Sequence, residues 1–144
     1  INPHRLELAH RLGATRTLDV STEPLAEAGI SADVLIECSG QQAALADGIR
    51  SLRPAGVIVA VGMNPYEDVT IPMAYLQNHE LTLTGTFRYA NTYPVAIALA
   101  GSGKVNLDAI VTGHYGLDQT QEALTVSKLD PASVKPMVTP GSEG

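Results

Sequence analysis

The stretch Asp33-Val34-Leu35-Ile36-Glu37-Cys38 has an apolar centre without polar alternation and ends in Ser39-Gly40. Such a run suits a strand covered on both faces, as in a parallel sheet. Downstream, Leu45, Ile49 and Leu52 recur at helical spacing and lead into the breaker cluster Arg53-Pro54-Ala55-Gly56. A second continuous apolar run, Val57-Ile58-Val59-Ala60-Val61, stops at Gly62. Strand, helix and strand in this order, joined by a crossover of a dozen or more residues, form a parallel βαβ unit. The fold class is therefore α/β, a doubly wound parallel sheet with helices on both faces.

Working outward, residues 3–12 read as a helix, with Leu8 and Leu12 one turn apart, Pro3 suited to the first turn and Gly13 to the exit. Thr17-Leu18-Asp19-Val20 reads as a short strand, followed by a polar turn and a brief helical stretch through Ala28 that Gly29 ends. On the other side, an irregular stretch with Asn64-Pro65 and Ile71-Pro72 precedes Leu81-Thr82-Leu83-Thr84. That alternation predicts a strand with one less buried face. A helix is expected over 92–100, stopped by Gly101-Ser102-Gly103. The remainder predicts a strand over 109–112, a helix opened by Asp118 with Gln121 in capping-box position, an edge strand over 134–138 interrupted by Pro136, and a frayed end over 139–144.

The 144 residues, 44% hydrophobic and 17% charged, are enough for one core. A net charge of −6 opposes binding to a phosphate backbone, which needs clustered cations, so nucleic acid is not expected as a partner. No apolar run approaches the roughly 20 residues of a membrane span. The single Cys38 makes no internal disulfide and points to a reducing, cytoplasmic setting. No basic, apolar leader opens the chain, and its start at Ile1 reads as a beginning in mid-fold.

Ligands of open parallel sheets bind beyond the carboxyl ends of the strands. Here those ends are Cys38-Ser39-Gly40, Val61-Gly62-Met63 and Thr86-Phe87-Arg88. Gly40 and Gly62 serve either as plain turn residues or where backbone must approach a flat ligand closely. Arg88, between Phe87 and Tyr89, is either a surface arginine or a fork of donors for phosphate, carboxylate or hydroxyls. The four histidines are scattered with no ligand spacing, so no metal site is expected in this chain. Glu37 and Asp33 lack a second acid–base partner and read as structural, and Gly101-Ser102-Gly103-Lys104 reads as a helix stop rather than a phosphate loop.

The block Gly85-Thr86-Phe87-Arg88-Tyr89-Ala90-Asn91-Thr92-Tyr93-Pro94-Val95-Ala96-Ile97 resembles the sorbitol (polyol) dehydrogenases of the zinc-dependent medium-chain alcohol dehydrogenase superfamily. Arg5-Leu6-Glu7-Leu8-Ala9, residues 32–40 and residues 56–63 support it, and the resemblance runs from Ile1 to about Val138. It implies an incomplete Rossmann-type sheet that binds NAD. Arg5 would lie near the adenosine ribose, Cys38-Ser39-Gly40 and Val61-Gly62-Met63 along the cofactor, and Thr86-Phe87-Arg88 near the nicotinamide. Arg88 and Tyr89 would hold polyol hydroxyls, and the reaction implied is reversible hydride transfer between a polyol and a ketose. A catalytic zinc acts as Lewis acid in that family.

The family's zinc ligands, first strand, glycine-rich pyrophosphate turn and ribose-binding acid have no counterpart in this sequence, and Thr112-Gly113-His114-Tyr115-Gly116 departs from the family's Thr-His-Arg-Phe-Pro. The resemblance therefore implies a cofactor-binding portion over 1–106 and a segment over 107–144 that packs on a catalytic domain. The whole enzyme would be a homo-oligomer, dimer or tetramer, acting on a small polyol. Two alternatives stand beside it: a related threonine or butanediol dehydrogenase, and a non-catalytic nucleotide-binding or assembly module using residues 69–84 as a pairing edge. In the usual strand order two central strands are lacking here, which leaves residues 33–38 with an open edge. The isolated 144-residue chain is accordingly predicted to be unstable or to aggregate. A cooperative melt together with monomeric elution would contradict this.

Overall fold

The computed structural model describes residues 1–65 and 68–141. In chain order the elements are α1 (Pro3–Arg11), β1 (Ala32–Glu37), α2 (Gln42–Arg50), β2 (Leu52–Ala60), α3 (Met73–Asn78), β3 (Thr82–Gly85), α4 (Tyr93–Gly101), β4 (Val111–Tyr115), α5 (Thr120–Leu129) and β5 (Lys135–Val138). Single 3-10 turns occupy Asp108–Ile110 and Leu117–Gln119. Packing separates two compact units, Val20–Ala90 and Ile1–Asp19 with Asn91–Gly144.

The unit Val20–Ala90 is built on a parallel sheet of order β1-β2-β3, so the α/β reading holds. Leu35 pairs with Ile58 on one face, and Val34 with Val57 and Ile36 with Val59 on the other. On the first face Ile49 of α2 and Ile58 of β2 are fully buried with Leu52 and Leu81, and Tyr75 and Leu76 of α3 pack against them. Each buried aliphatic side chain contributes about 1.5–3 kcal/mol. Gly48 lets α2 close on the sheet, because a Cβ there would lie 2.7 Å from Leu35 Cδ2. The Tyr75 hydroxyl donates to the Leu52 carbonyl (3.1 Å) and pins α3 to the start of β2.

Both helices therefore share one face, as successive right-handed crossovers running in one direction along a sheet require. The expectation that β1 is covered on both faces is not met among the described residues: Val34 is 54% and Ile36 63% exposed. The breaker cluster also differs from its reading. Residues 53–56 belong to β2 and bulge out between the pairs Ala32–Leu52 and Val34–Val57, opposite the single Asp33. A bulge tolerates Pro54 and the left-handed Ala55 (φ 62°), whose N–H donates to the His79 carbonyl (2.7 Å). The Arg53 guanidinium pairs with the Asp33 carboxylate across it.

Residues 17–20 form no strand, since a lone extended segment needs a ladder partner and none stands beside it among the described residues. The stretch expected as a short helix up to Ala28 is a set of turns closed by i→i+3 bonds, Glu27 N–H to Pro24 O (2.9 Å) and Ala28 N–H to Leu25 O (3.3 Å). β3 starts one residue later than its pattern, and all four of its residues are exposed, the burial being supplied by Leu81 just before it.

In the second unit α1 is capped by Asn2, whose Oδ1 accepts the Arg5 N–H (3.2 Å), with Pro3 opening the helix. Gly13, at φ 106°, closes it. β4 and β5 pair in parallel, and α5 packs on β5. β4 begins at Val111 rather than 109, because residues 108–110 form a 3-10 turn. Gln119, not Gln121, closes the cap: its Oε1 accepts the Gly116 N–H (3.1 Å), and the intervening 3-10 turn moves the helix start to Thr120. Thr139 is not frayed, since its N–H donates to the Tyr115 carbonyl (2.9 Å), and residues 142–144 lie outside the described residues. α4 is apolar along its length yet has no buried residue.

These faces predict opposite responses to substitution. Ile58→Ala should cost about 2–5 kcal/mol in urea denaturation, whereas Ile36→Lys should change stability by less than about 0.5 kcal/mol and move elution toward the monomer. Equal costs would contradict the assignment of the core.

Candidate functional site

Because β1, β2 and β3 are parallel and adjacent, their carboxyl ends lie side by side. The structure thus brings together the three turns expected at 38–40, 61–63 and 86–88. Glu37, the last residue of β1 and only 6% exposed, ties two of them. Its carboxylate accepts the Ser39 N–H (2.6 Å), the Ser39 hydroxyl and the Gly40 N–H (3.1 Å to each oxygen). Its main-chain carbonyl accepts the N–H groups of Val61 (2.8 Å) and Gly62 (2.9 Å). The third turn joins through Thr86, whose N–H donates to the Ala60 carbonyl (3.1 Å).

Burial pushes the Glu37 pKa up, but the Ser39 hydroxyl and the Ser39 and Gly40 amides outweigh it and hold the group below its ordinary value of 4.5. This residue, read from sequence as merely structural, organises the site. The available signal was an acid ending an apolar strand directly before a Ser-Gly turn.

Gly40 and Gly62 are explained by a contact the sequence did not reveal. A Cβ on Gly62 would lie 2.1 Å from Gly40 N, and one on Gly40 would lie 2.3 Å from the Met63 carbonyl oxygen, with Gly40 also at φ 69°. The glycines permit backbone to meet backbone between two turns. The turns form one ledge as a result. Cys38 and Ser39 are exposed at its rim, and the Ser39 hydroxyl is turned inward to Glu37.

Beside the ledge, Val61, Met63, Thr86, Phe87, Arg88 and Tyr89 line a cavity of about 250 Å³. That is smaller than the roughly 300–1,000 Å³ of sites that enclose a drug-sized ligand. It has room for one aromatic ring and a few hydroxyls. Arg88 adopts a left-handed backbone (φ 67°), a conformation that costs a non-glycine residue about 1–2 kcal/mol. Its guanidinium lies 4.7 Å from the centroid of the Phe87 ring, a cation–π contact that holds the fork over the cavity wall. Strain retained at a strand end is characteristic of binding sites. Arg5, the remaining expected cofactor contact, stands exposed on α1 in the other unit.

A larger cavity of about 640 Å³ lies in that other unit, lined among others by Arg11, Lys104, Val105 and Leu107. Its two cations sit at the end of α1 and just past α4, where they offset the negative ends of those helices, so the smaller cavity is the better candidate. Among the described residues no three His, Cys, Asp or Glu side chains gather to hold a metal ion, and no helix is long and apolar enough to cross a membrane.

The zinc-binding dehydrogenase profile matches residues 1–102. The chain belongs to the zinc-binding dehydrogenase family. Within this family it is 34% identical over 136 residues to sorbitol dehydrogenase of Gallus gallus, covering 89% of this chain and 38% of that enzyme. The zinc-binding dehydrogenase chain described here thus spans well under half the length of this relative. Among solved structures it is similar to 2R,3R-butanediol dehydrogenase of Bacillus subtilis, with 26% identity, a TM-score of 0.81, and coverage of 98% of this chain and 42% of that one. A Sinorhizobium meliloti protein solved with NADP bound superposes with a TM-score of 0.86 at 27% identity, covering 96% and 43%.

The ledge makes two predictions. Gly62→Ala should cost about 3 kcal/mol, the upper range for overpacking, measured by urea denaturation; a neutral outcome would refute the contact with Gly40. Because folding lowers the Glu37 pKa, its contribution to stability is complete above 4.5 and is lost as pH falls through the depressed folded value. Denaturation midpoints of the wild type should therefore drop on acidification through that window, and those of Glu37→Gln should drop less.

Proposed function

We infer that this chain forms the nicotinamide-cofactor surface of an NAD-dependent oxidoreductase that interconverts a polyol and a ketose. The observation that carries the reading is the junction of three parallel strand ends with a ring-sized cavity walled by Phe87 and Arg88. Membership of the zinc-binding dehydrogenase family supports it. A bound nicotinamide accepts or returns the hydride of a secondary alcohol carbon, and the hydroxyl proton leaves as the carbonyl forms.

In this proposal the ring lies against Val61, Met63 and Thr86, whose apolar and main-chain atoms exclude water from one side of it. Cys38-Ser39-Gly40 and Val61-Gly62-Met63 carry the rest of the dinucleotide, and Arg5 meets the adenosine ribose. Arg88, pre-oriented by Phe87, and Tyr89 donate to substrate hydroxyls and select a vicinal diol over a plain alcohol. Such a diol is common to sorbitol and to butanediol, which the relatives are named for. Residues 1–106 constitute the cofactor-binding part, and residues 107–144 pack on a catalytic domain. The uncovered Val34 and Ile36 and the unburied α4 favour a role within a larger protein. The described residues offer no ligand set that fits zinc.

The test is kinetic, on the whole protein that carries this chain. It should oxidise sorbitol, xylitol or 2,3-butanediol with NAD, and Arg88→Ala should lower kcat/KM for the polyol about 10–100-fold, the scale of one or two lost charge-assisted hydrogen bonds. Unchanged kinetics would refute the role of Arg88. NADH binding without turnover on any alcohol would favour a non-catalytic nucleotide-binding module.

A further inference from the structure

We propose that Glu37 is the positioning residue of the ledge: through its carboxylate and its carbonyl it sets the Ser39-Gly40 and Val61-Gly62 turns as one unit, so that its loss weakens dinucleotide binding before it unfolds the chain. The inference rests on reading these strand ends as a cofactor surface. It extends that reading by giving a task to a buried side chain whose hydrogen bonds go to its own turn.

Three features carry it. All the donors to the Glu37 carboxylate come from the next three residues, so the carboxylate acts on the turn and not on the packing of the core. The same residue's carbonyl receives two consecutive N–H groups of the neighbouring turn. The turns then touch where neither has room for a Cβ, so one cannot shift without displacing the other. The arrangement continues into α2, because the Ser39 hydroxyl oxygen that donates to Glu37 also accepts the N–H of Gln41, the residue that caps the helix (3.2 Å). None of the carboxylate's hydrogen bonds reaches the core around Ile49 and Ile58.

The experiment compares wild type, Glu37→Gln and Ser39→Ala in the whole protein that carries this chain. Gln keeps the shape but replaces an acceptor oxygen with a donor, while Ser39→Ala removes one donor and leaves the charge. Amide hydrogen exchange in Glu37→Gln should quicken at Ser39, Gly40, Val61 and Gly62 together, with the β1–β2 ladder amides near wild type and the melting midpoint lowered by no more than the wild type loses when Glu37 is protonated. Faster exchange confined to Ser39 and Gly40 would overturn the coupling. Titration with NADH, followed by its fluorescence, should show a dissociation constant raised about tenfold in Glu37→Gln and less in Ser39→Ala; equal constants would overturn the positioning role. If Glu37→Gln fails to fold, Ser39→Ala decides: quickened exchange at Gly62 supports the coupling and unchanged exchange refutes it. Failure of the wild type to bind NADH would sink the cofactor reading and with it the claim about binding, while the exchange pattern would still decide whether the two turns move as one.

Discussion

The site depends on one buried carboxylate. Glu37 ends β1 with its side chain folded forward onto Ser39 and Gly40 and its carbonyl presented to Val61 and Gly62. Burying an unpaired carboxylate would be costly, and here several donors satisfy it, so the charge is retained and the turns are held. Everything at the carboxyl edge of the sheet follows: two glycines become obligatory, the β1 and β2 ends become a single ledge, and the β3 end, joined through Thr86, brings Phe87 and Arg88 alongside.

Below that edge the unit is held by a one-sided core. α2 and α3 cover the face bearing Leu35 and Ile58, and the opposite face leaves Val34 and Ile36 in the open. The rigidity of the strand ends therefore comes from one apolar layer and from hydrogen bonds at the turns. A site that must hold a planar ligand benefits from such backbone contacts, which have no side-chain rotamers to order.

Much of this was legible in the sequence. The runs at 33–38 and 57–61 announced adjacent parallel strands, although the cover on both faces that their lack of alternation implied is not met at Val34 and Ile36 among the described residues. The candidate site followed from the rule that ligands gather at the carboxyl ends of such strands. Other features were illegible for definite reasons. Arg53-Pro54-Ala55-Gly56 carries the composition of a turn, and only pairing with Asp33 shows it to be a bulge within β2. Residues 17–20 have strand composition, but a strand exists only with a neighbour. Gly40 and Gly62 read as turn residues or as places of close approach to a ligand, and the contact between these residues 22 positions apart is one that no local pattern encodes. Glu37 read as structural because no second acid–base partner stood near it in sequence, and its bonds to the main-chain amides of Ser39 and Gly40 leave no mark there.

The most direct measurement is the map of backbone amide shifts when NADH is titrated into the whole protein that carries this chain. A cofactor surface at the strand ends requires shifts concentrated at residues 38–40, 61–63 and 86–88, rising together along one binding curve. Shifts gathered instead around Arg11 and Lys104, or none at all, would contradict it.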